Sequence, residues 1–228
     1  MEEKKVVGVV DFPVRRTGKA GMQTEEVRWG FKDYREAFDN MPIREVREAC
    51  LSEINPDWED NVNWLIKRVE AYLKIDDYET VCMLFRELCR HQGSQKQRIL
   101  DLMVDSIRSG MGSSYAYNNI KDMLVILCGK LLHEKNLYNE NARKLFREII
   151  EKFHEQCVFG SDDRKAQLIS RILFVIAAVK DRTFIPILKK INIDKENLAH
   201  LMEYVSISKE RINLEGLRMI VLRYLKGE

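Results

Sequence analysis

Four histidines, five cysteines and 36 acidic residues are the groups in this chain that could hold a metal or carry acid–base chemistry. Their spacing argues against most of it. His133-Glu134 and His154-Glu155 both begin like a zincin helix, which needs a second histidine four residues after the first so that both imidazoles share a face. Those positions hold Leu137 and Val158. His154 and Cys157 stand three apart, but no further ligands accompany them, so they read as a surface histidine and a core cysteine. Cys82 and Cys89 fall on one helical face and read as core packing. No CxxC pair occurs among Cys50, Cys82, Cys89, Cys128 and Cys157. The valine-rich residues 6–10 precede Gly18-Lys19 as a strand precedes a phosphate loop, but Ala20 occupies the place of the Ser or Thr that reaches magnesium. No GxSxG is present, and the paired carboxylates Asp76-Asp77 and Asp162-Asp163 read as helix caps. The expectation is a chain with no catalytic residue, no metal and no cofactor: not an enzyme.

The basic residues offer a different chemistry. Arg86, Arg90, Lys96 and Arg98 cluster with only Glu87 opposing them. Arg143, Lys144, Arg147 and Lys152 form a second set, and Arg211, Arg218 and Arg223 a third. If the helices that carry them stack as repeats, such sets line one face able to grip an acidic peptide or a phosphate backbone. Of these, Arg86, Arg90, Lys96, Arg98, Arg143 and Arg147 are the predicted partner-binding residues. Few aromatics interleave with them, which gives stacking on single-stranded bases little support.

The elements that must position these groups are helices. A chain of 228 residues can bury a core without disulfides or metals. Its 45% hydrophobic and 32% charged content predicts a globular, soluble protein, and a net charge of +2 excludes binding by bulk charge. Only 4 prolines and 11 glycines favour helices over many short strands. The longest apolar run, residues 172–179, is too short for a membrane span and predicts a buried helix. No basic-then-apolar leader opens the sequence, and the cysteine count is odd, so the expected compartment is cytoplasmic or nuclear.

Residues 1–31 read as an extended or β N-terminal arm, with residues 6–10 and 27–31 as candidate strands. Arg15, Arg16 and Lys19 lie in the loop between them, and Trp29 and Phe31 are placed to anchor the arm, giving a homo-oligomer or a partner contact. Residues 32–228 form an all-helical domain. Helices are predicted at 42–54 behind a first-turn Pro42, 57–74 with a Trp58, Val62, Leu65, Val69, Tyr72 stripe, 77–91 capped by Asp76-Asp77, and 95–109 capped by Ser94. Further helices follow at 114–134, 139–157, 162–181, 184–191, 195–206 and from Ser208 to about Leu225. Short connections make consecutive helices antiparallel neighbours. The fold class is all-α: stacked antiparallel helices, as αα-hairpin repeats or an irregular bundle.

Leu84-Phe85-Arg86-Glu87-Leu88 recurs as Leu145-Phe146-Arg147-Glu148-Ile149. Residues 71–78 followed by Phe85 resemble a tetratricopeptide helix-turn-helix, with Val69, Val81 and Leu88 where that pattern has small residues. A looser αα repeat of HEAT type, or of the type in proteasome-lid and initiation-factor scaffolds, fits as well. The function expected is a helical scaffold or adaptor that binds protein partners through its repeat surface and its arm. The alternatives are an RNA-binding or viral nucleocapsid-associated helical protein, and an enzyme with an unrecognised site.

Overall fold

The structure is a computed structural model that describes residues 10–11, 28–29, 33–111, 116–159, 163–190 and 214–228. Ten α-helices are described: α1 Tyr34–Asn40, α2 Arg44–Glu53, α3 Glu59–Leu73, α4 Tyr78–Leu88, α5 Lys96–Gly110, α6 Tyr117–His133, α7 Glu140–Phe159, α8 Asp163–Val179, α9 Ile185–Lys190 and α10 Leu214–Lys226. Short 3-10 turns at Lys135–Leu137 and Arg182–Phe184 lead into α7 and α9. From residue 33 onward no described residue is in a strand. In the arm, only an antiparallel pairing of Val10–Asp11 with Arg28–Trp29 is described. The arm's other predicted features, including Arg15, Arg16, Lys19 and Phe31, lie outside the described residues, as do the predicted helix at 195–206 and its Asp194 cap.

Described helices pack in pairs: α1 with α2, α3 with α4, α5 with α6 and α7 with α8 as successive hairpins, and α9 on α10. The second members then pack side by side in the order α2, α4, α6, α8, α10, while α5 packs on α7 in the other row. This is the stacked-hairpin arrangement, and it explains the helix compositions. A helix held between two row neighbours and its own hairpin partner must be apolar over most of its circumference. Accordingly α4 buries Tyr78, Val81, Cys82, Met83, Leu84, Phe85 and Leu88, and α6 buries Met123, Leu124, Leu127, Cys128 and Leu131.

Local chemistry sets most boundaries. Asp77 caps α4, its carboxylate accepting from the Thr80 N–H at 3.0 Å. Asn139 caps α7 by accepting from the Ala142 N–H at 3.0 Å. Three places differ from the sequence reading. Pro42 does not open α2: Ile43 is extended (φ −87°, ψ 124°) and the helix starts at Arg44. Trp58 is not part of the α3 stripe, because it is the residue before the helix, with extended backbone, and is 66% exposed, whereas Val62, Leu65 and Val69 are fully buried. Ser94 caps nothing; α5 starts at Lys96 after Gln95, with no side-chain cap. One helix was not individually foreseen: α1 is capped by Asp33, which accepts from the Glu36 N–H at 2.9 Å. Asp33 followed three residues later by Glu36 is the sequence signal that could have found it.

Candidate docking face

The corners between helices consume much of the basic charge. At the α3–α4 corner Asp76 takes a left-handed backbone (φ 57°), and the Asp77 N–H returns to the Tyr72 carbonyl at 3.0 Å. Arg47 reaches over from α2, donating to Thr80 Oγ1 and to the Tyr72 hydroxyl at 2.8 Å each, its guanidinium 5.3 and 5.0 Å from the Phe38 and Tyr72 ring centres. The α8–α9 corner repeats the pattern. Lys180 is left-handed (φ 56°), and the Asp181 N–H returns to the Ile176 carbonyl at 3.0 Å. Asp181, 4% exposed at its side chain, accepts from Arg143 Nε at 2.6 Å, the Tyr138 hydroxyl at 2.8 Å and the Thr183 hydroxyl at 2.6 Å. Burial alone would raise this carboxyl, but the Thr183, Arg143 and Tyr138 hydrogen bonds outweigh it and hold it below the usual range. Burial, and then the bond to Asp181, push the Tyr138 hydroxyl the other way, well up.

Other bonds, within and between hairpins, do the same work with other residues. Lys96 Nζ and Lys130 Nζ both bind Glu134, at 2.7 and 2.6 Å, and their hydrogen bonds lower its carboxyl. Arg108 joins Glu148 at 3.0 Å, and Lys130 also donates to the Cys89 carbonyl at 2.9 Å. Except for Lys130 with Glu134, these cross-links connect residues 25 to 43 apart, most of them 33 to 41, about one hairpin's length.

The predicted partner-binding residues therefore divide. Lys96 has only 22% of its side chain exposed and ties the start of α5 to the end of α6 within one hairpin, while Arg143 is tied to Asp181 and Glu140, so both are spent inside the fold. Arg86 stays exposed, 3.5 Å from Asp122 of α6, and Arg90 exposed beside Glu87 at 2.7 Å. Arg98 is exposed and donates to Gln95 at 3.2 Å, and Arg147 lies 5.7 Å over the Phe184 ring. The two Leu-Phe-Arg segments bury alike, yet α4 stands in one row and α7 in the other, so Arg86 and Arg147 do not line one face. Arg211 lies outside the described residues, Arg218 donates to the Leu188 carbonyl, and Arg223 is exposed.

Sequence reading missed the outward face of the α6–α8–α10 row. On α6, Leu124, Leu127 and Leu131 point into the core. The opposite side, at spacings of three and four, carries Asp122, Val125, Gly129 and Leu132. Val125 is half-buried, Leu132 is exposed, and an added Cβ at Gly129 would meet nothing within 4 Å. On α8, Phe174 interrupts the run predicted to be buried. Ile172, Leu173, Val175 and Ile176 are buried, but Phe174 is 51% exposed, with Arg171 and Ala178 on its side of the helix. Helix α8 packs against α6, and the Arg171 charge acts to lower the Cys128 thiol of α6, though burial outweighs it. Ile220 and Tyr224 are exposed on α10. The missed signal is a glycine inside an otherwise apolar helix.

Two other features are packing. The cleft among Leu88, His91, Lys96, Met103, Leu127 and Lys130 has a volume of about 10 Å³, room for one water molecule. His91 Nδ1 pairs with the Pro56 carbonyl at 2.9 Å, while its Nε2 is buried without a hydrogen-bond partner. Burial pushes the thiols of Cys50 and Cys82 up to about 11 and those of Cys89 and Cys128 up to about 12, the opposite of nucleophile activation. Among the described residues no three His, Cys, Asp or Glu side chains converge as a metal would need, and no helix is long and apolar enough to cross a membrane.

No family model matches the chain, and neither a curated protein nor a solved structure matches it.

Proposed function

We propose that the chain is a non-enzymatic helical scaffold or adaptor that holds a protein partner on the outward face of the α6–α8–α10 row. The observation that carries this reading is the set of large apolar side chains exposed on these three helices, Leu132 on α6, Phe174 on α8 and Ile220 and Tyr224 on α10, together with the open space at Gly129. Large apolar groups gathered on a stacked-helix surface are what a partner covers, whereas scattered ones need no explanation. The cytoplasm or nucleus is the proposed setting, in keeping with the free cysteines Cys50, Cys82, Cys89 and Cys128. The arm is proposed as a second contact, anchored by Trp29 and Phe31: deleting residues 2–24 leaves melting unchanged and removes a partner or a self-association, measured by light scattering and capture. Unchanged mass and partners would make the arm a tail only.

The test of the face is affinity purification from the native source, with partners identified by mass, using the intact chain and its Phe174→Glu variant. The reading expects at least one stoichiometric partner that the variant loses while keeping its melting temperature. An identical partner set would remove the face from the argument. Co-purified RNA, seen at 260 nm and lost with salt, would favour the RNA-binding alternative instead.

A further inference from the structure

We infer that the partner segment docked on this face is an amphipathic α-helix with acidic flanks, lying across α6 and α8 with one apolar side chain seated over Gly129. The inference rests on the docking face proposed above and adds what occupies it. A glycine inside a helix costs roughly 1 kcal/mol relative to alanine. The chain's other helical glycine with a described environment, Gly110, has an internal reason. A Cβ there would stand 2.2 Å from Ile120 Cδ1 and 2.8 Å from the Tyr78 ring. Gly129 has none, since an added Cβ there would meet nothing within 4 Å. What the missing side chain leaves is a notch on the helix surface, flanked along α6 by Val125 and Leu132, with Phe174 exposed on the adjacent α8. A notch ringed by apolar side chains accepts a knob from another helix, as facing helices do in knobs-into-holes packing.

The charges around the notch choose among occupants. Arg171 and Arg223 are exposed on α8 and α10, and neither forms an ion pair with a described residue, while Lys121 stands half-buried on α6. The acid on the α6 outward side, Asp122, is already matched to Arg86. An apolar strip with an unmatched basic border complements a helix whose apolar stripe has Glu or Asp on either side. A second copy of this chain fits poorly, because a two-fold contact sets each cation of the face against a face of the same sign. A nucleic acid has no use for the apolar strip between the cations.

The test uses the full chain and two labelled synthetic peptides. Both are amphipathic helices of about five turns with Leu at every third or fourth position; one carries Glu on the flanks, the other Lys. Fluorescence anisotropy should show the Glu peptide binding with a Kd of about 1–100 µM, weakening with salt, and the Lys peptide binding at least about tenfold more weakly. Gly129→Leu fills the notch in open space with a strong helix former, so it keeps or raises the melting temperature. It should raise the Kd of the Glu peptide at least about tenfold, as should Arg171→Glu. Equal binding of the two peptides, no saturable binding of the Glu peptide, or undiminished binding by Gly129→Leu would overturn the inference. Co-sedimentation with phosphatidylserine vesicles that Phe174→Glu abolishes would assign the face to a membrane surface, and also overturn it. If Phe174→Glu loses its partners in the capture experiment while the Glu peptide fails to bind, only the acidic helix falls. If the variant keeps every partner, the docking face falls with it.

Discussion

Replacing two glycines by alanine should change stability in opposite directions. Gly129 sits inside α6 with nothing within 4 Å of the added methyl group, so Gly129→Ala meets no clash and gains helix propensity alone. That gain is about 1 kcal/mol. Gly110 ends α5 in the core, where the same methyl would stand 2.2 Å from Ile120 Cδ1 and 2.8 Å from Tyr78 Cε1. The isoleucine tip can rotate, but both neighbours are buried and the Tyr78 ring has nowhere to retreat. Overpacking of this kind costs about 1–3 kcal/mol, which exceeds the propensity gain, most of all at a helix end. For a chain this long, 1 kcal/mol moves the melting temperature by about 2–4 °C. Thermal and urea melts followed by circular dichroism should therefore show Gly129→Ala a few degrees above the parent and Gly110→Ala a few degrees below it. A drop in Gly129→Ala would mean that the outward side of α6 is packed, and would refute the open notch together with everything built on it.

Four more expectations follow, three of them from the links between helices. Asp181→Asn should cost about 2–3 kcal/mol, because Arg143 and Tyr138 lose a buried charged acceptor. Asp181 and Glu134 are both held below their ordinary range, so their stability is complete above about pH 5 and lost as pH falls through their folded values; acid melts should show this, with a shallower loss in Asp181→Asn. Lys96→Glu sets a carboxylate against Glu134 and should lower stability by about 1–2 kcal/mol, whereas Arg90→Glu, at an exposed position, should change it by less than about 1 kcal/mol; equal losses would mean that Lys96 is not a link. With their thiols raised to about 11 or 12, Cys50, Cys82, Cys89 and Cys128 should resist a disulfide reagent at pH 8 until the chain unfolds, and fast labelling of any of the four would contradict their burial.

What the sequence disclosed was local. Asp77 announced α4, and the Val62, Leu65, Val69 spacing announced the buried side of α3, because a cap and an amphipathic stripe are written within a few residues. Trp58 was misplaced because one residue of extended backbone before a helix redirects a side chain, and boundaries are the least legible part of a helix. The basic sets were visible as composition, but whether a cation is spent on a neighbour depends on a carboxylate far along the chain. Nothing near Arg143 in sequence points to Asp181. Phe174 looked like core because its neighbours are, and only the packing of α6 and α10 on either side of α8 shows which side of the helix is left over.

The links between hairpins also set how such a molecule comes apart. Most of them bind a hairpin to its successor, and the pairs between α2 and α4, α4 and α6, α5 and α7, and α7 and the start of α9 run along the stack. In an array coupled only between neighbours, an interior hairpin cannot leave without breaking two interfaces, while a terminal one breaks a single interface. Opening then travels inward from the ends as a zipper opens, and the centre around α4 and α6 is the last place to exchange its amide hydrogens with water. The same asymmetry tells a binding partner where to hold on. A ligand seated across α6 and α8 bridges two neighbouring hairpins, and it clamps the joint between them shut.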